Sequence, residues 1–287
     1  MPEMPEVESL RVFLTDKLVG RTITRIDVVA FSALKTYDPP PSAIYGLEID
    51  GVARHGKFLD VSAQGLHLVF HLARAGWLRW KEEQPTAPPK AGRGPLSMRL
   101  HLDDGSGFDL TEAGTQRKLA VYVVNDPAEI PHVSTLGPDP LAGDFDEAAL
   151  AALLRKAGRA QLKGVLKDQR VIAGIGNAYS DEILHVAKMS PFKPASSLSP
   201  AELTTLYQAI QYELIGAIQR AEGLAAKDLK GEKKSGLRVH GRTGEKCPVC
   251  GDTIAEVSFA DSSLQYCPTC QTGGKKLADR RMSRLLK

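Results

Sequence analysis

Four cysteines fall within 24 residues, as Cys247-Pro-Val-Cys250, sixteen intervening residues, and Cys267-Pro-Thr-Cys270. The other 263 residues contain none. A disulfide framework spreads cysteines along a secreted chain, whereas two C-x-x-C knuckles at this separation bring four thiolates to one tetrahedral Zn²⁺. A closed four-sulfur shell keeps no open position, so the expected cofactor is one structural Zn²⁺ and not a catalytic one. A redox pair or unpaired thiols are the competing readings. Zinc ribbons serve nucleic-acid binding and protein contacts alike, so the metal alone names no function.

Around this cluster the chain must supply a scaffold. Residues 253–259 and 264–266 read as a short hairpin between the knuckles. Residues 5–19 read as a helix: Pro5 suits a first turn, and Val7, Leu10, Val12, Phe13, Leu14 and Leu18 form an apolar stripe before Gly20. From 21 to about 125 the pattern shortens to β runs at 22–28, 58–61, 66–70 and 98–102, with Asp104-Gly105 as a hairpin turn. Pro85, Pro88, Pro89 and Pro95 mark a surface loop. After the linker Gly137-Pro-Asp-Pro140 the period becomes helical. Asp146 is placed to cap a helix at 147–156, and Ser199-Pro200-Ala-Glu202 has a capping-box layout opening a long amphipathic run to about 221. Between them, Gly174 and Gly176 interrupt the helical pattern ahead of Asn177. Either this is a tight interhelical turn, or its backbone N–H groups and Asn177 face a phosphate.

The fold class is thus α+β multidomain: an N-terminal helix plus β-sandwich at 1–130, a helical domain at 131–225, a basic connector at 226–244, a four-cysteine zinc finger at 245–271 and a basic tail at 272–287. Apolar residues make up 43% and charged residues 25%, ordinary globular values. No run approaches the ~18 apolar residues of a membrane helix, and the acidic, proline-broken N-terminus is unlike a signal peptide. A cytosolic protein without a membrane partner is expected, nucleoid-associated if bacterial. The net charge of +3 is uneven, since residues 227–287 carry 13 Lys and Arg against 7 Asp and Glu. A basic C-terminal part suits a polyanion, though a solvated basic surface looks the same.

Four landmarks occur together: Pro2-Glu3-Met-Pro-Glu6-Val-Glu8, His55-Gly56-Lys57-Phe58, Gly174-Ile-Gly-Asn177-Ala-Tyr, and the four-cysteine ribbon. Over about residues 2–271 this set resembles the formamidopyrimidine-DNA glycosylase/endonuclease VIII family, as a divergent member. The resemblance implies a helix–two-turn–helix domain in the middle and base excision on damaged double-stranded DNA by a monomer. It also implies a bifunctional glycosylase and abasic-site lyase. Removal of Met1 would leave Pro2 as a secondary amine, which titrates near ~8 and is less readily charged at a helix N-terminus. Such an amine can attack C1′ of a deoxyribose, expel the base and form an iminium. By the same resemblance Glu3 is the proton donor that opens the sugar, which requires burial to raise its pKa. Glu6 is the second essential carboxylate, or simply a first-turn glutamate facing the helix dipole. Lys57 is the hairpin lysine that touches the lesion's phosphate. His71, Lys163 and Asn177 match phosphate contacts, which position a duplex without reading it.

The chain also departs from the pattern. Arg74 and Leu119 stand where a methionine and a phenylalanine fill the gap left by a flipped base, while Arg117 keeps its arginine. Leucine can still wedge between bases. Ser262 replaces a phosphate-binding arginine of the zinc hairpin, and the stretch from Gly223 to Arg238 lacks the long loop that covers 8-oxoguanine. The expectation is retained imine chemistry with a lesion choice other than 8-oxoguanine and a weak second elimination. The tail could donate a substitute cation or be a disordered basic tail. Two alternatives compete: a non-catalytic paralogue that binds damaged DNA, and a zinc-ribbon nucleic-acid-binding regulator unrelated to repair.

Overall fold

The computed structural model describes residues 1–90, 94–114, 116–260 and 262–278. The end of the basic tail, residues 279–287, lies outside them. The chain divides into two compact units, Met1–Leu136 with Ala221–Lys230, and Gly137–Arg220 with Gly231–Lys287.

In the first unit, α1 (Met4–Leu18) is followed by β1 (Ile23–Val28), β2 (Gly51–His55), β3 (Phe58–Ala63), β4 (Leu66–His71), β5 (Gly76–Lys81), β6 (Leu96–Leu102), β7 (Gly107–Glu112), β8 (Ala120–Val124) and the short α2 (Pro131–Ser134). The strands form two antiparallel four-stranded sheets, in the orders β1-β6-β7-β5 and β2-β3-β4-β8. Alternation sends Leu100, Phe108 and Leu78 from one sheet and Leu59, Phe70 and Val123 from the other into a single core. The stripe Val7, Leu10, Leu14 and Leu18 of α1 joins that core. So do Ala221, Ala226 and Leu229 from the distant segment, whose Ala226 carbonyl accepts the indole N–H of Trp77 at 3.0 Å.

The second unit contains α3 (Glu147–Ala157), α4 (Leu162–Lys167), α5 (Asn177–Val186) and α6 (Pro200–Arg220). The connecting helix α7 (Leu229–Gly236) starts in the first unit's segment, and β9 (Ala255–Ser258), β10 (Ser263–Tyr266) and α8 (Pro268–Thr272) follow. The local signals act as their chemistry requires. Asp146 Oδ1 accepts the Ala149 N–H at 2.8 Å, and Ser199 and Glu202 exchange hydrogen bonds at 2.9 and 3.3 Å. Helix α5 is nearly all buried from Ala178 to His185, and its polar members Ser180, Asp181, Glu182 and His185 lie inside with it.

Candidate active site

The N-terminus is held by its own acids. Glu3 is the N-cap of α1, in extended backbone, and Pro5 occupies the first turn. Glu3 and Glu6 form a capping box in which the Glu6 Oε2 accepts the Glu3 N–H at 2.7 Å. That N–H belongs to the peptide joining Pro2 to Glu3, so the Glu6 carboxylate fixes the plane from which Pro2 projects. Pro2 is buried, and Glu3 and Glu6 are only 2% and 4% exposed. Glu6 therefore does more than face the helix dipole.

Two residues further along, Glu8 accepts from Arg54 Nε and from Arg11 Nη2, both at 2.7 Å. Burial pushes the Glu8 pKa up, but the hydrogen bonds from Arg11 and Arg54 outweigh it and hold the carboxyl below its usual value. Arg54 Nη1 also donates to the Gly56 carbonyl at 3.2 Å, inside the tight β2–β3 turn that carries Lys57. Gly56 takes φ +57° there, a conformation glycine reaches without cost. Sequence reasoning singled out Lys57, which is buried, and missed the Glu8–Arg54 pair that ties its turn to α1. The signal available was an acid at the third polar position of the N-terminal motif and an arginine three residues before Lys57.

His71 ends β4 with its ring 4.6 Å from that of Phe58. Its Nδ1 accepts the Ala73 N–H at 3.1 Å, so the hydrogen of the neutral ring sits on Nε2. Burial, then the nearby Lys57 and His132, push its pKa down to about 4. A neutral donor beside Lys57 suits a phosphate oxygen. The following turn is tight: a Cβ on Gly76 would lie 2.1 Å from the Leu72 carbonyl oxygen. Arg74 is exposed in this turn, and Arg117 is exposed and donates to the Gly94 carbonyl at 2.8 Å. Leu119 corrects the sequence reading. It is 2% exposed within the sandwich core, and its N–H donates to the buried Glu112 at 3.1 Å. An apolar side chain so enclosed presents no wedge to a base stack. Of the three gap-filling positions, two carry exposed arginines and the third is core.

In the second unit Lys163 also differs from expectation. Its ammonium donates to the Asn177 carbonyl at 2.9 Å, Ser180 Oγ at 2.8 Å and Asp181 Oδ1 at 2.7 Å, and it is 5% exposed. Three donors meet three internal acceptors, so the lysine braces α4 against α5 instead of facing a phosphate. The Asn177 amide donates to the Ser263 carbonyl of the zinc hairpin at 2.8 Å. In the double-glycine turn, the Gly174 N–H is taken by Gln169 Oε1 at 2.9 Å, which favours the interhelical-turn reading for that residue. Ser262 accepts the Phe259 N–H at 2.8 Å and closes the hairpin turn.

The four cysteine sulfurs all lie within 4.8 Å of one another. Cys250 and Cys267 are 3.3 Å apart and Cys247 and Cys270 3.9 Å. A tetrahedron with Zn–S bonds of about 2.3 Å has edges of about 3.8 Å, so the set fits one Zn²⁺. Burial drives the Cys267 thiol up to about 11 and Cys270 higher still, so holding four thiolates here calls for a divalent cation at their centre. Behind them, buried His185 places Nε2 3.3 Å from Cys247 Sγ, and burial, then Arg238, pushes its pKa down to about 4. This histidine was missed, since Ile183-Leu184-His185-Val186 reads as ordinary helix core.

Comparisons with known proteins agree with this layout. Residues 1–119 match the formamidopyrimidine-DNA glycosylase N-terminal domain, residues 136–228 the H2TH domain of formamidopyrimidine-DNA glycosylase, and residues 244–273 the zinc finger found in FPG and IleRS. A Mycobacterium tuberculosis chain described as an uncharacterized formamidopyrimidine-DNA glycosylase-like protein is 62% identical over 160 residues, 56% of this chain and 99% of its own. A formamidopyrimidine-DNA glycosylase of Symbiobacterium thermophilum is 35% identical over 98% of this chain and 93% of its own. The complex of Lactococcus lactis Fpg with abasic-site DNA superposes with a TM-score of 0.81 at 27% identity, covering 94% of this chain and 99% of that one.

Proposed function

Because the chain belongs to the formamidopyrimidine-DNA glycosylase family of DNA-repair enzymes, we propose that it excises damaged bases from double-stranded DNA and nicks the strand at the abasic site, with Pro2 as nucleophile. The observation that carries this reading is the buried capping box, in which Glu6 holds the Pro2–Glu3 peptide at 2.7 Å. Once Met1 is removed, the Pro2 nitrogen is a secondary amine at the positive end of α1, where its uncharged form is favoured. The amine attacks C1′, the N-glycosyl bond breaks, and the base leaves with the bonding pair and takes up the proton that the attacking nitrogen gives up. Glu3 gives a proton to O4′ as the ring opens, and an iminium forms between Pro2 and C1′. Loss of a C2′ proton turns the iminium into an enamine, whose electrons then return to form the C2′–C3′ double bond as the phosphate leaves C3′ with the C–O bonding pair. Water finally releases the sugar from the amine. Lys57 and the Nε2–H of His71 bind the phosphates beside the lesion. The ribbon cysteines would hold one Zn²⁺, which supplies a rigid cross-link and no chemistry.

With Arg74 and Arg117 exposed and Leu119 in the core, the gap of a flipped base is filled by cations and not by an apolar wedge. This favours a lesion other than 8-oxoguanine: an abasic site, an oxidised pyrimidine or a bulkier adduct. Without an arginine at Ser262, the second elimination is expected to be slow. The test is borohydride trapping on abasic, 8-oxoguanine, 5-hydroxycytosine and undamaged duplexes, with the native chain beside an N-terminally blocked form. An adduct on damaged DNA that disappears on blocking supports the imine mechanism. Tight binding to damaged duplexes without any adduct would assign the chain to the non-catalytic reading.

A further inference from the structure

We propose that His185 is part of the metal centre, donating its Nε2–H to the Cys247 thiolate and thereby making zinc retention depend on helix α5. The proposal rests on the zinc reading above. His185 is 3% exposed, its Nε2 lies 3.3 Å from Cys247 Sγ, and its Nδ1 is buried without a hydrogen-bond partner among the described residues. A metal-bound thiolate can only accept, so the hydrogen must sit on Nε2 and point at sulfur. The reverse tautomer would bury an unpaired N–H at Nδ1 and set two acceptors face to face. The ring is not itself a ligand, because the four sulfurs already complete a tetrahedral shell.

The placement on α5 shows why this contact matters. Asn177, Asp181 and His185 are spaced four residues apart, so they stand on one helical face. The first donates to the Ser263 carbonyl at 2.8 Å, and the second accepts the Gln265 N–H at 3.2 Å. Both of those partners belong to the ribbon hairpin. The third reaches the metal ligand itself. An N–H···S bond draws charge from the thiolate and fixes the direction of its lone pair, as partners behind metal ligands do generally. Helix α5 thus holds the hairpin by its backbone and the metal by its sulfur.

The test uses the zinc-loaded full chain and follows zinc transfer to excess EDTA. His185→Phe keeps a ring without a donor, and His185→Gln keeps an N–H. Zinc is expected to leave His185→Phe about 10- to 100-fold faster than the native chain, with His185→Gln between the two. A second measurement needs no variant, and so decides the matter even if His185→Phe does not fold. With ¹¹³Cd in place of zinc, the Nε2–H of His185 should show scalar coupling to the metal through Cys247 Sγ. Release unchanged in His185→Phe, with no coupling in the native chain, would overturn the proposal. A purified chain that binds neither zinc nor cadmium would overturn the zinc reading and this proposal with it.

Discussion

Glu6 Oε2 accepts the backbone N–H of Glu3 at 2.7 Å, and both carboxylates are buried. One carboxylate thus orients the peptide whose other end is Pro2, and the second stands beside that peptide. If Glu6 acts by position, Glu6→Ala should lose the cap, at about 0.5–2 kcal/mol of stability, and misplace the amine, at about 100-fold in trapping rate. Glu6→Gln keeps an acceptor oxygen and should recover part of both. Thermal denaturation and single-turnover borohydride trapping on an abasic duplex measure the two effects separately.

Glu3→Gln separates two steps. Base excision needs the ring-opening proton and should fall by about 10²–10⁴-fold, whereas an abasic sugar exists in part already open. Lyase action on an abasic duplex should therefore be spared relative to excision, and equal loss of both would remove Glu3 from its assigned role.

His71 carries a pH signature. Its folded pKa of about 4 lies below the ordinary 6.5, so the unfolded chain binds the proton more readily between those values. The stability contributed by the neutral ring is complete above pH 6.5 and is lost as pH falls through 6.5 towards 4. The difference in urea midpoint between the native chain and His71→Gln should shrink across that window. An imidazole titration by NMR should place the His71 midpoint near 4.

Lys163→Met tests a correction. Removing this ammonium takes one partner from the fully buried Asp181, which keeps His240 and the Gln265 N–H, so a loss of up to about 3 kcal/mol is expected. The salt dependence of DNA binding should not change, because the native ammonium is spent on internal acceptors. A decrease of about one in the slope of log affinity against log salt would restore the phosphate contact.

Leu119→Ala should behave as a core truncation, costing about 2–5 kcal/mol in chemical denaturation. Arg74→Ala should leave stability unchanged and weaken binding to duplexes with a flipped or missing base. The opposite pattern would return Leu119 to the wedge.

Much of this was legible in the chain. The stripe of α1, the caps at Asp146 and Ser199, the zinc-finger hairpin and the four-cysteine cluster are local signals, and each lies where local chemistry puts it. The misreadings share a cause, since each depends on residues far away in sequence. Lys163 resembles a surface lysine until Asp181, eighteen residues on, is brought against it. Leu119 follows Arg117 and Lys118, and it is turned inward by its place in the sandwich core, with its N–H on the buried Glu112. The lysine-rich stretch before the ribbon gave no apolar stripe, yet it forms α7 and lends Ala226 and Leu229 to a core built from residues two hundred positions earlier.

That last feature bears on synthesis. The first unit is not continuous in the chain, because its closing residues are 221–230. A ribosome releases the sheets early, but the acceptor for the Trp77 indole arrives only with Ala226, after α3 to α6 have emerged. The nascent sandwich therefore waits, with its core open on one side and Trp77 without its acceptor, while the helical part is made. A fragment cut near residue 136 should keep its strands yet expose that seam, and supplying the missing strap as a separate peptide should close it.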